Sequence, residues 1–245
     1  MVRFYVIRHG QTLLNSLDRA QGWADSPLTK AGKQMAADIG HKLMGTDFDA
    51  AYTSDLLRAV QTTEMILEAN RKKGVPIKRD VRLREWCLGS MEAENNVVFM
   101  KNVADWLGGG VSFAELNQRL PDVADALYEH DTTGMVEPFQ SIKERLKAAF
   151  VDIAQRHERK ENSNILIVTH AFAIKTIIYL FAPEHLGKVE KVKNASVFRL
   201  VFDNGVFSLE PDIQLHFNYA PQSDIACLPY TPHQKNINTE QRNKP

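Results

Sequence analysis

The chain has 245 residues, 44% of them hydrophobic, and its 30 Lys and Arg residues balance its 30 Asp and Glu residues. This composition can bury a large core and excludes a chain that is disordered throughout, because disorder goes with low hydrophobicity and high net charge. A net charge of zero also argues against nucleic acid as a partner bound mainly by bulk electrostatic attraction. The length allows one large domain or two small ones.

Neither the cysteines nor the first residues of the chain indicate export or a membrane. Cys87 and Cys227 are too few for a disulfide scaffold, and the sequence has no Cys-x-x-Cys pair for structural zinc. The apolar run at residues 4–7 is shorter than a signal peptide requires, and no stretch approaches the length of a membrane span. The sequence therefore predicts a soluble, cytoplasmic protein with no membrane partner.

Strands and helices alternate along the chain, which is typical of an α/β fold. Strands are predicted at residues 2–7, 48–53, 77–83 and 165–168, and helices at residues 29–43, 56–69, 141–157 and about 171–181. Two further strands, at residues 197–202 and 206–209, flank Asn204-Gly205, a strong hairpin signal. This order predicts a three-layer α/β/α sandwich with a mostly parallel central sheet.

Two segments break the alternation. Residues 92–137 are helical in parts and predict a lid insertion within one domain that spans residues 1–220. Residues 221–245 are polar and hold four of the ten prolines, which predicts a C-terminal tail.

Charged and polar residues follow four of the predicted strands, at the sheet edge where α/β proteins bind ligands. Arg8-His9-Gly10 follows the first strand, and His170 follows the strand at residues 165–168. Arg58 opens the helix after the second strand, where a helix N-terminus favours an anion, and Glu85 follows the third. Each residue alone is explained as well by an ordinary structural role, but together they predict one anion-binding pocket.

Five segments of the sequence carry a more specific signal. In chain order they read IRHGQTLLN, QGWADSPLTKAG, YTSDLLRAVQTTEMI, LREWCLGSMEAE and IVTHAFAIK. Together they resemble the histidine phosphatase superfamily, in its phosphoglycerate-mutase-like branch. The resemblance covers roughly residues 2–90 and 139–210, and the second segment is similar to bacterial broad-specificity phosphatases in particular.

The resemblance implies a catalytic role for each residue of the predicted pocket. His9 would attack phosphorus and form a phosphohistidine, which splits one displacement into two easier steps. Arg8, Arg58 and His170 would surround the phosphoryl oxygens and stabilise their charge in the transition state. Further phosphate-binding positions are Asn15, Gln21, Gly22 and Ala171.

Glu85 would be the general acid that protonates the leaving alkoxide and later takes a proton from water. It must start protonated, so we expect burial to raise its pKa. Glu92 and Glu94 are nearby alternatives for this role. The resemblance also implies that no metal or other cofactor takes part.

The sequence favours a phosphatase acting on a small phosphorylated metabolite over two alternatives: a cofactor-dependent phosphoglycerate mutase and a catalytically silent phosphate-binding module. The lid segment has nine acidic residues against two basic ones. This excess is either a solvated surface or a device that disfavours small polyanions. Phe172 stands where many relatives have a small residue, and it either narrows the pocket or packs in the core. The oligomeric state is open, with a homodimer as one candidate.

Overall fold

The computed structural model describes residues 1–71, 73–189 and 191–210, and it places six strands of this part of the chain in one sheet. They are β1 (Val2–Arg8), β2 (Ala50–Thr53), β3 (Ile77–Arg79), β4 (Ser163–Thr169), β5 (Val197–Asp203) and β6 (Val206–Leu209). The strand order is β3-β2-β4-β1-β5-β6. The pairs β3-β2, β2-β4 and β4-β1 are parallel, whereas β5 is antiparallel to both β1 and β6, which confirms the mostly parallel sheet.

The helices cover both faces of the sheet. They are α1 (Leu13–Ser16), α2 (Lys30–Lys42), α3 (Leu57–Asn70), α4 (Asn96–Trp106), α5 (Phe113–Gln118), α6 (Leu120–His130), α7 (Phe139–His157) and α8 (Ala171–Phe181). Short 3₁₀ turns lie at Val81–Leu83, Gly89–Met91 and Pro183–Lys188. No helix in the described ranges is long and apolar enough to cross a lipid bilayer.

Alternate side chains of β1 enter two separate hydrophobic cores, one on each face of the sheet. Phe4 and Val6 belong to the larger core, which α7 and α8 cover, whereas Tyr5 and Ile7 belong to the smaller core under α2 and α3. This alternation follows from the two-residue period of a strand. It confirms the predicted three-layer α/β/α arrangement.

Several predicted boundaries are confirmed by their local chemistry. Thr29 caps α2 by accepting a hydrogen bond from the N–H of Gly32. Asn204 and Gly205 have φ angles of 48° and 82°, as a two-residue hairpin turn requires.

The predicted strand at residues 77–83 is wrong in its second half. β3 ends at Arg79, and the Asp80 side chain accepts a hydrogen bond from the N–H of Arg82 at 2.9 Å. This local bond competes with strand pairing and starts the turn at Val81–Leu83. The short helix α1, which closes on a capping box between Thr12 and Asn15, was not predicted.

The predicted lid segment contains α4, α5 and α6. These helices contribute Phe99, Val103 and Leu127 to the larger core. The predicted domain end at residue 220 and the tail at residues 221–245 lie outside the described residues.

Candidate active site

Three neighbouring strands bring the predicted residues together at one edge of the sheet. His9 follows β1 and His170 follows β4, and their ring centroids are 5.1 Å apart. Arg58 lies in the first turn of α3, shortly after β2, and its side chain is fully buried. Beside them lies a cavity of about 220 Å³. Of the predicted residues, its lining includes Arg8, His9, Asn15, Gln21, Glu85 and Ala171.

His9 is held in the form that a nucleophile needs. Its Nδ1 lies 2.8 Å from the carbonyl oxygen of Gly10, so Nδ1–H donates there and Nε2 keeps its lone pair. Burial, and then the charges of Arg58 and Arg8, hold the pKa of His9 well below its usual value. The ring is therefore neutral at pH 7.

The backbone around His9 is fixed by a close approach of two chain segments. A Cβ on Gly10 would lie 2.4 Å from the carbonyl oxygen of Gly32, at the start of α2. The N–H of Gly10 donates to Thr62 Oγ1 at 3.0 Å. The absence of a side chain at Gly10 therefore allows this loop to pack against Gly32, and the N–H of Gly10 bonds to Thr62 within the protein.

Four buried nitrogens around His9 have no hydrogen-bond partner among the described residues: Nδ1 and Nε2 of His170, Nε of Arg8 and Nε of Arg58. A buried polar group without a partner costs about 1–3 kcal/mol. Such groups are rare in folded proteins and call for an explanation. Their concentration at one point indicates a site for a ligand with several acceptor oxygens.

Hydrogen bonds within the protein hold both guanidinium groups in place. Arg8 donates to the carbonyl oxygen of Val192 at 2.6 Å. Arg58 donates to the carbonyl oxygens of Gly22 and Ala24 at 2.5 and 3.0 Å, and to Asp25 Oδ1 at 3.1 Å. Burial lowers the pKa of Arg8 to about 10, so it remains charged at neutral pH.

Glu85 is buried at the N-terminus of α8. Its carboxyl oxygens accept from the N–H groups of Trp86, Phe172 and Ala173 at 3.0, 3.0 and 2.8 Å. Burial raises its pKa, although these hydrogen bonds favour the charged form and act against the shift. A raised pKa of Glu85 is what the sequence analysis predicts.

Glu92 and Glu94 are placed differently from Glu85, and neither belongs to the cavity lining. Glu92 accepts hydrogen bonds from four backbone N–H groups, those of Gly22, Trp23, Ala24 and Leu88. Glu94 accepts from the N–H of Asn95 and lies 3.9 Å from Arg19. Of the three carboxyl groups, Glu85 therefore fits a catalytic role best.

Three of the four predicted phosphate-binding positions line the cavity, and the fourth, Gly22, does not. Asn15 and Ala171 line the cavity, and Asn15 Oδ1 accepts from Asn194 Nδ2 at 3.0 Å. Gln21 also lines it, but its amide bonds within its own loop, to Thr12 Oγ1 at 2.6 Å and Ser26 Oγ at 3.1 Å. Gly22 donates its N–H to Glu92, and its carbonyl oxygen accepts a hydrogen bond from Arg58. It therefore affects the site by positioning Arg58.

The lid helices give the cavity an uncharged wall. The lid residues in its lining are Asn96, Phe99, Met100, Val103, Leu116, Asn117 and Val123. The acidic residues of the lid segment are absent from this lining, which favours the solvated-surface interpretation of their charge. Phe172 combines both predicted roles, since its ring stacks on Trp86 at 4.8 Å between centroids and also lines the cavity.

Sequence reasoning missed several residues that hold the site. Arg145 donates to the carbonyl oxygen of Glu85 at 2.9 Å, and Trp23 Nε1 donates to the same oxygen at 2.8 Å. The buried Lys175 lines the cavity from α8. Their type and position carried no distinctive sequence signal, because their partners are remote in sequence.

Across the described ranges, no group of three or more His, Cys, Asp and Glu side chains is arranged to hold a metal ion. Metal independence of the chemistry stays a prediction.

Comparison with known proteins identifies the family and agrees with the fold. The profile of the histidine phosphatase superfamily (branch 1) matches residues 4–211. The crystal structure of phosphoglycerate mutase from Bacillus anthracis superposes with a TM-score of 0.80 and 31% identity, over 85% of this chain and 91% of that chain. "Probable phosphoglycerate mutase GpmB" from Citrobacter koseri is 28% identical over 84% of this chain and 88% of that protein. Phosphoserine phosphatase from Entamoeba histolytica, solved with 3-phosphoglyceric acid, has a TM-score of 0.62 and 25% identity over 85% of this chain and 95% of that chain.

Proposed function

Since the chain belongs to the histidine phosphatase superfamily (branch 1), we propose that it is a phosphatase that hydrolyses phosphomonoesters of small metabolites through a phosphohistidine on His9. One observation carries the proposal. A neutral, oriented His9 lies among buried nitrogens of Arg8, Arg58 and His170 that have no partner in the described residues. A phosphoryl group supplies acceptor oxygens for the Nε–H groups of both arginines and for the one N–H of the neutral His170 ring.

The first step transfers the phosphoryl group from the ester oxygen to His9. Nε2 attacks phosphorus, the bond between phosphorus and the ester oxygen breaks, and the proton of Glu85 goes to the leaving alkoxide. Arg8, Arg58 and His170 donate to the phosphoryl oxygens while their charge is redistributed. Because the pKa of Glu85 is raised by burial, a larger fraction of it is protonated when the step begins.

The second step returns the enzyme to its starting state. Glu85, now a carboxylate, takes a proton from a water molecule that attacks phosphorus. The phosphorus–nitrogen bond breaks, inorganic phosphate leaves, and His9 is again neutral. Glu85 thus acts as acid and then as base, and its three backbone hydrogen bonds stabilise the carboxylate form between the steps.

A phosphoglycerate mutase is the competing function, because two of the similar proteins carry that name. A mutase working with a bisphosphate must also bind a second phosphate group. The lid helices supply no charged residue for it. Of the other cations in the lining besides Arg8, Arg19 and Lys191 are exposed to solvent, and Lys175 is a single buried lysine where a second phosphate carries up to two negative charges. This distribution favours transfer to water. A silent phosphate-binding module would not need a buried acid beside the neutral His9.

Hydrolysis of phenyl phosphate in the presence of a chelator tests the proposal. We expect phosphate release by the parent protein, loss of turnover in His9→Ala, and an unchanged rate in His41→Ala, whose side chain is exposed on α2. Phosphoryl label trapped on the parent protein should be acid-labile and absent from His9→Ala. Full activity in His9→Ala refutes the nucleophile, and efficient mutase turnover with a bisphosphoglycerate primer refutes the preference for water.

A further inference from the structure

Asn194, in the loop before β5, contacts the nucleophile segment and has no part in the proposed mechanism. Its Nδ2 donates to the carbonyl oxygen of His9 at 3.2 Å and to Oδ1 of Asn15 at 3.0 Å. These two bonds use both N–H groups of its amide. His9 and Asn15 belong to the cavity lining, whereas Asn194 does not. Any effect of Asn194 on a bound phosphoryl group therefore passes through these two residues.

The loop that carries Asn194 is bonded to the end of β1 by backbone hydrogen bonds. The N–H of Ala195 donates to the carbonyl oxygen of Arg8 at 3.1 Å, and the N–H of Arg8 donates to the carbonyl oxygen of Ser196 at 3.1 Å. Ala195 has a φ angle of 61°, in the left-handed region that residues other than glycine rarely adopt. Such a conformation persists where the surrounding contacts determine it. The loop thus holds Asn194 in a defined position beside the nucleophile segment.

The orientation of the Asn15 amide follows from partners that can only donate or only accept. The backbone N–H of Thr12 lies 3.3 Å from Asn15 Oδ1, and since an N–H can only donate, the atom that it contacts is the amide oxygen. The carbonyl oxygen of His9 can only accept, so Asn194 presents its NH₂ and donates to the same Asn15 oxygen. The NH₂ of Asn15 is then the group left for the cavity that Asn15 lines.

The direction of this amide decides how Asn15 interacts with a phosphoryl group. Phosphoryl oxygens accept hydrogen bonds, so an NH₂ that faces them stabilises a bound phosphate. Rotation of the amide by 180° would turn its oxygen toward these acceptors. It would also turn the NH₂ toward two donors, the N–H of Thr12 and the NH₂ of Asn194. Both donors oppose the rotated form, and Asn194 makes the shorter of the two bonds.

The carbonyl oxygen of His9 depends less on Asn194 than Asn15 does. It also accepts from the N–H of Ala195 at 3.4 Å, so a substitution of Asn194 leaves it with a partner. The ring of His9 is oriented separately, through the bond between its Nδ1 and the carbonyl oxygen of Gly10. We therefore expect the effect of Asn194 to reach the site mainly through Asn15.

We propose that Asn194 is a positioning residue for the phosphoryl group, because it keeps the NH₂ of Asn15 turned toward the cavity. The inference rests on the proposed function, since it assumes that the phosphoryl group binds beside Asn15. Asn194 itself does not touch the substrate.

Binding of inorganic phosphate, measured by calorimetry at pH 7, tests the inference without turnover. Asn194→Leu keeps a similar side-chain volume but has no donor, and Asn194→Ala removes the donor together with most of the side chain. In both variants the dissociation constant for phosphate should rise about 10-fold, as the loss of one hydrogen bond to a charged group allows. The value of kcat/KM for phenyl phosphate should fall by a similar factor.

Ser196→Ala is the matched control from the same loop. Its Oγ donates to the carbonyl oxygen of Lys193 at 2.7 Å and makes no contact with Asn15 or His9 among the described residues. We expect this variant to keep the parent affinity for phosphate and the parent kcat/KM. Thermal unfolding shows whether each variant is folded.

A double-mutant cycle with Asn15→Ala separates positioning from a general effect on the loop. Asn15→Ala alone should weaken phosphate binding about 10-fold or more. If Asn194 acts through Asn15, adding Asn194→Leu to this variant should change the dissociation constant by less than about 2-fold. The inference is overturned if the two factors multiply, because Asn194 then acts independently of Asn15. It is also overturned if Asn194→Leu binds phosphate as the parent does.

The result can be told apart from a failure of the proposed function. A parent protein that binds phosphate but does not hydrolyse phenyl phosphate refutes the phosphatase function, and the phosphate affinities of the cycle still decide the role of Asn194. A parent protein that does not bind phosphate refutes the positioning role as well.

Discussion

Glu92→Gln should destabilise the protein and weaken catalysis through the loop that positions Arg58. Glu92 Oε1 accepts from the N–H groups of Trp23 and Leu88 at 2.6 and 3.0 Å, and Oε2 accepts from those of Gly22 and Ala24 at 3.0 and 3.1 Å. The carbonyl oxygens of Gly22 and Ala24 are in turn acceptors for the Arg58 guanidinium.

The size of the effect follows from the even division of the four N–H donors between the two carboxylate oxygens. Each oxygen accepts from two N–H groups, so glutamine in either orientation turns its NH₂ toward two donors. Two lost acceptors cost about 2–6 kcal/mol at about 1–3 kcal/mol each. Glu92 is only partly buried, so water replaces some of the loss, and we expect about 2–3 kcal/mol in the free energy of unfolding. This is a large fraction of the roughly 5–15 kcal/mol that stabilises a typical domain.

Urea unfolding at pH 7 and steady-state kinetics with phenyl phosphate measure the two consequences. We expect kcat/KM of the folded variant to fall about 10-fold or more, because a small displacement of a charge-stabilising group is costly. Glu94→Gln is the matched control. Its carboxylate accepts one backbone N–H bond, from Asn95, and is 38% exposed, so it should cost less than about 1 kcal/mol. Equal unfolding midpoints and equal rates for the two variants would refute the role assigned to Glu92.

Three further predictions address the acid, the anion site and the core. Glu85→Gln should lower kcat by about 10²–10⁴-fold. The parent rate should fall as the pH rises through the elevated pKa of Glu85, because the protonated acid is the active form, whereas the variant should lack this basic limb. An unchanged basic limb with little loss of rate would contradict the assignment. Arg58→Lys keeps the positive charge but loses the planar guanidinium group that donates to the carbonyl oxygens of Gly22 and Ala24. We therefore expect kcat/KM to fall roughly 10-fold or more. A parent-like value would show that the charge alone suffices. Ile39→Ala, in the smaller core under α2, should lower the free energy of unfolding in urea by about 2–5 kcal/mol and change kcat/KM little. A loss of activity in the folded variant would instead show that this core supports the site.

Local patterns predicted most of the fold because their causes are local. Thr29 caps α2, and Asn204-Gly205 turns a hairpin, through contacts within a few residues. Apolar runs marked the buried strands, and the polar residues that follow them mark the ligand-binding edge. The prediction failed at Asp80, where a side-chain hydrogen bond to the N–H of Arg82 outweighed the β-forming pattern around it.

The residues that support the site could not be predicted in this way. Glu92 binds the N–H of Gly22 from 70 positions away, and Lys175 meets Asn117 from 58 positions away. Neither pair has a spacing that a helix or strand would reveal. The charge of the lid is a similar case, because its acidic excess is visible in the sequence, whereas the uncharged lining of the cavity depends on which helix faces turn inward.

The sequence by itself determined the α/β architecture, the family and the candidate residues at the strand ends, since hydrophobic periodicity and short motifs report local structure and local chemistry. Tertiary structure alone decided that His9 is neutral, that Glu85 has a raised pKa and that Lys175 is buried in the cavity wall. Those properties depend on burial and on charges brought together from remote segments. Desolvation and electrostatic interactions depend on distance in space, which the order of residues along the chain does not specify.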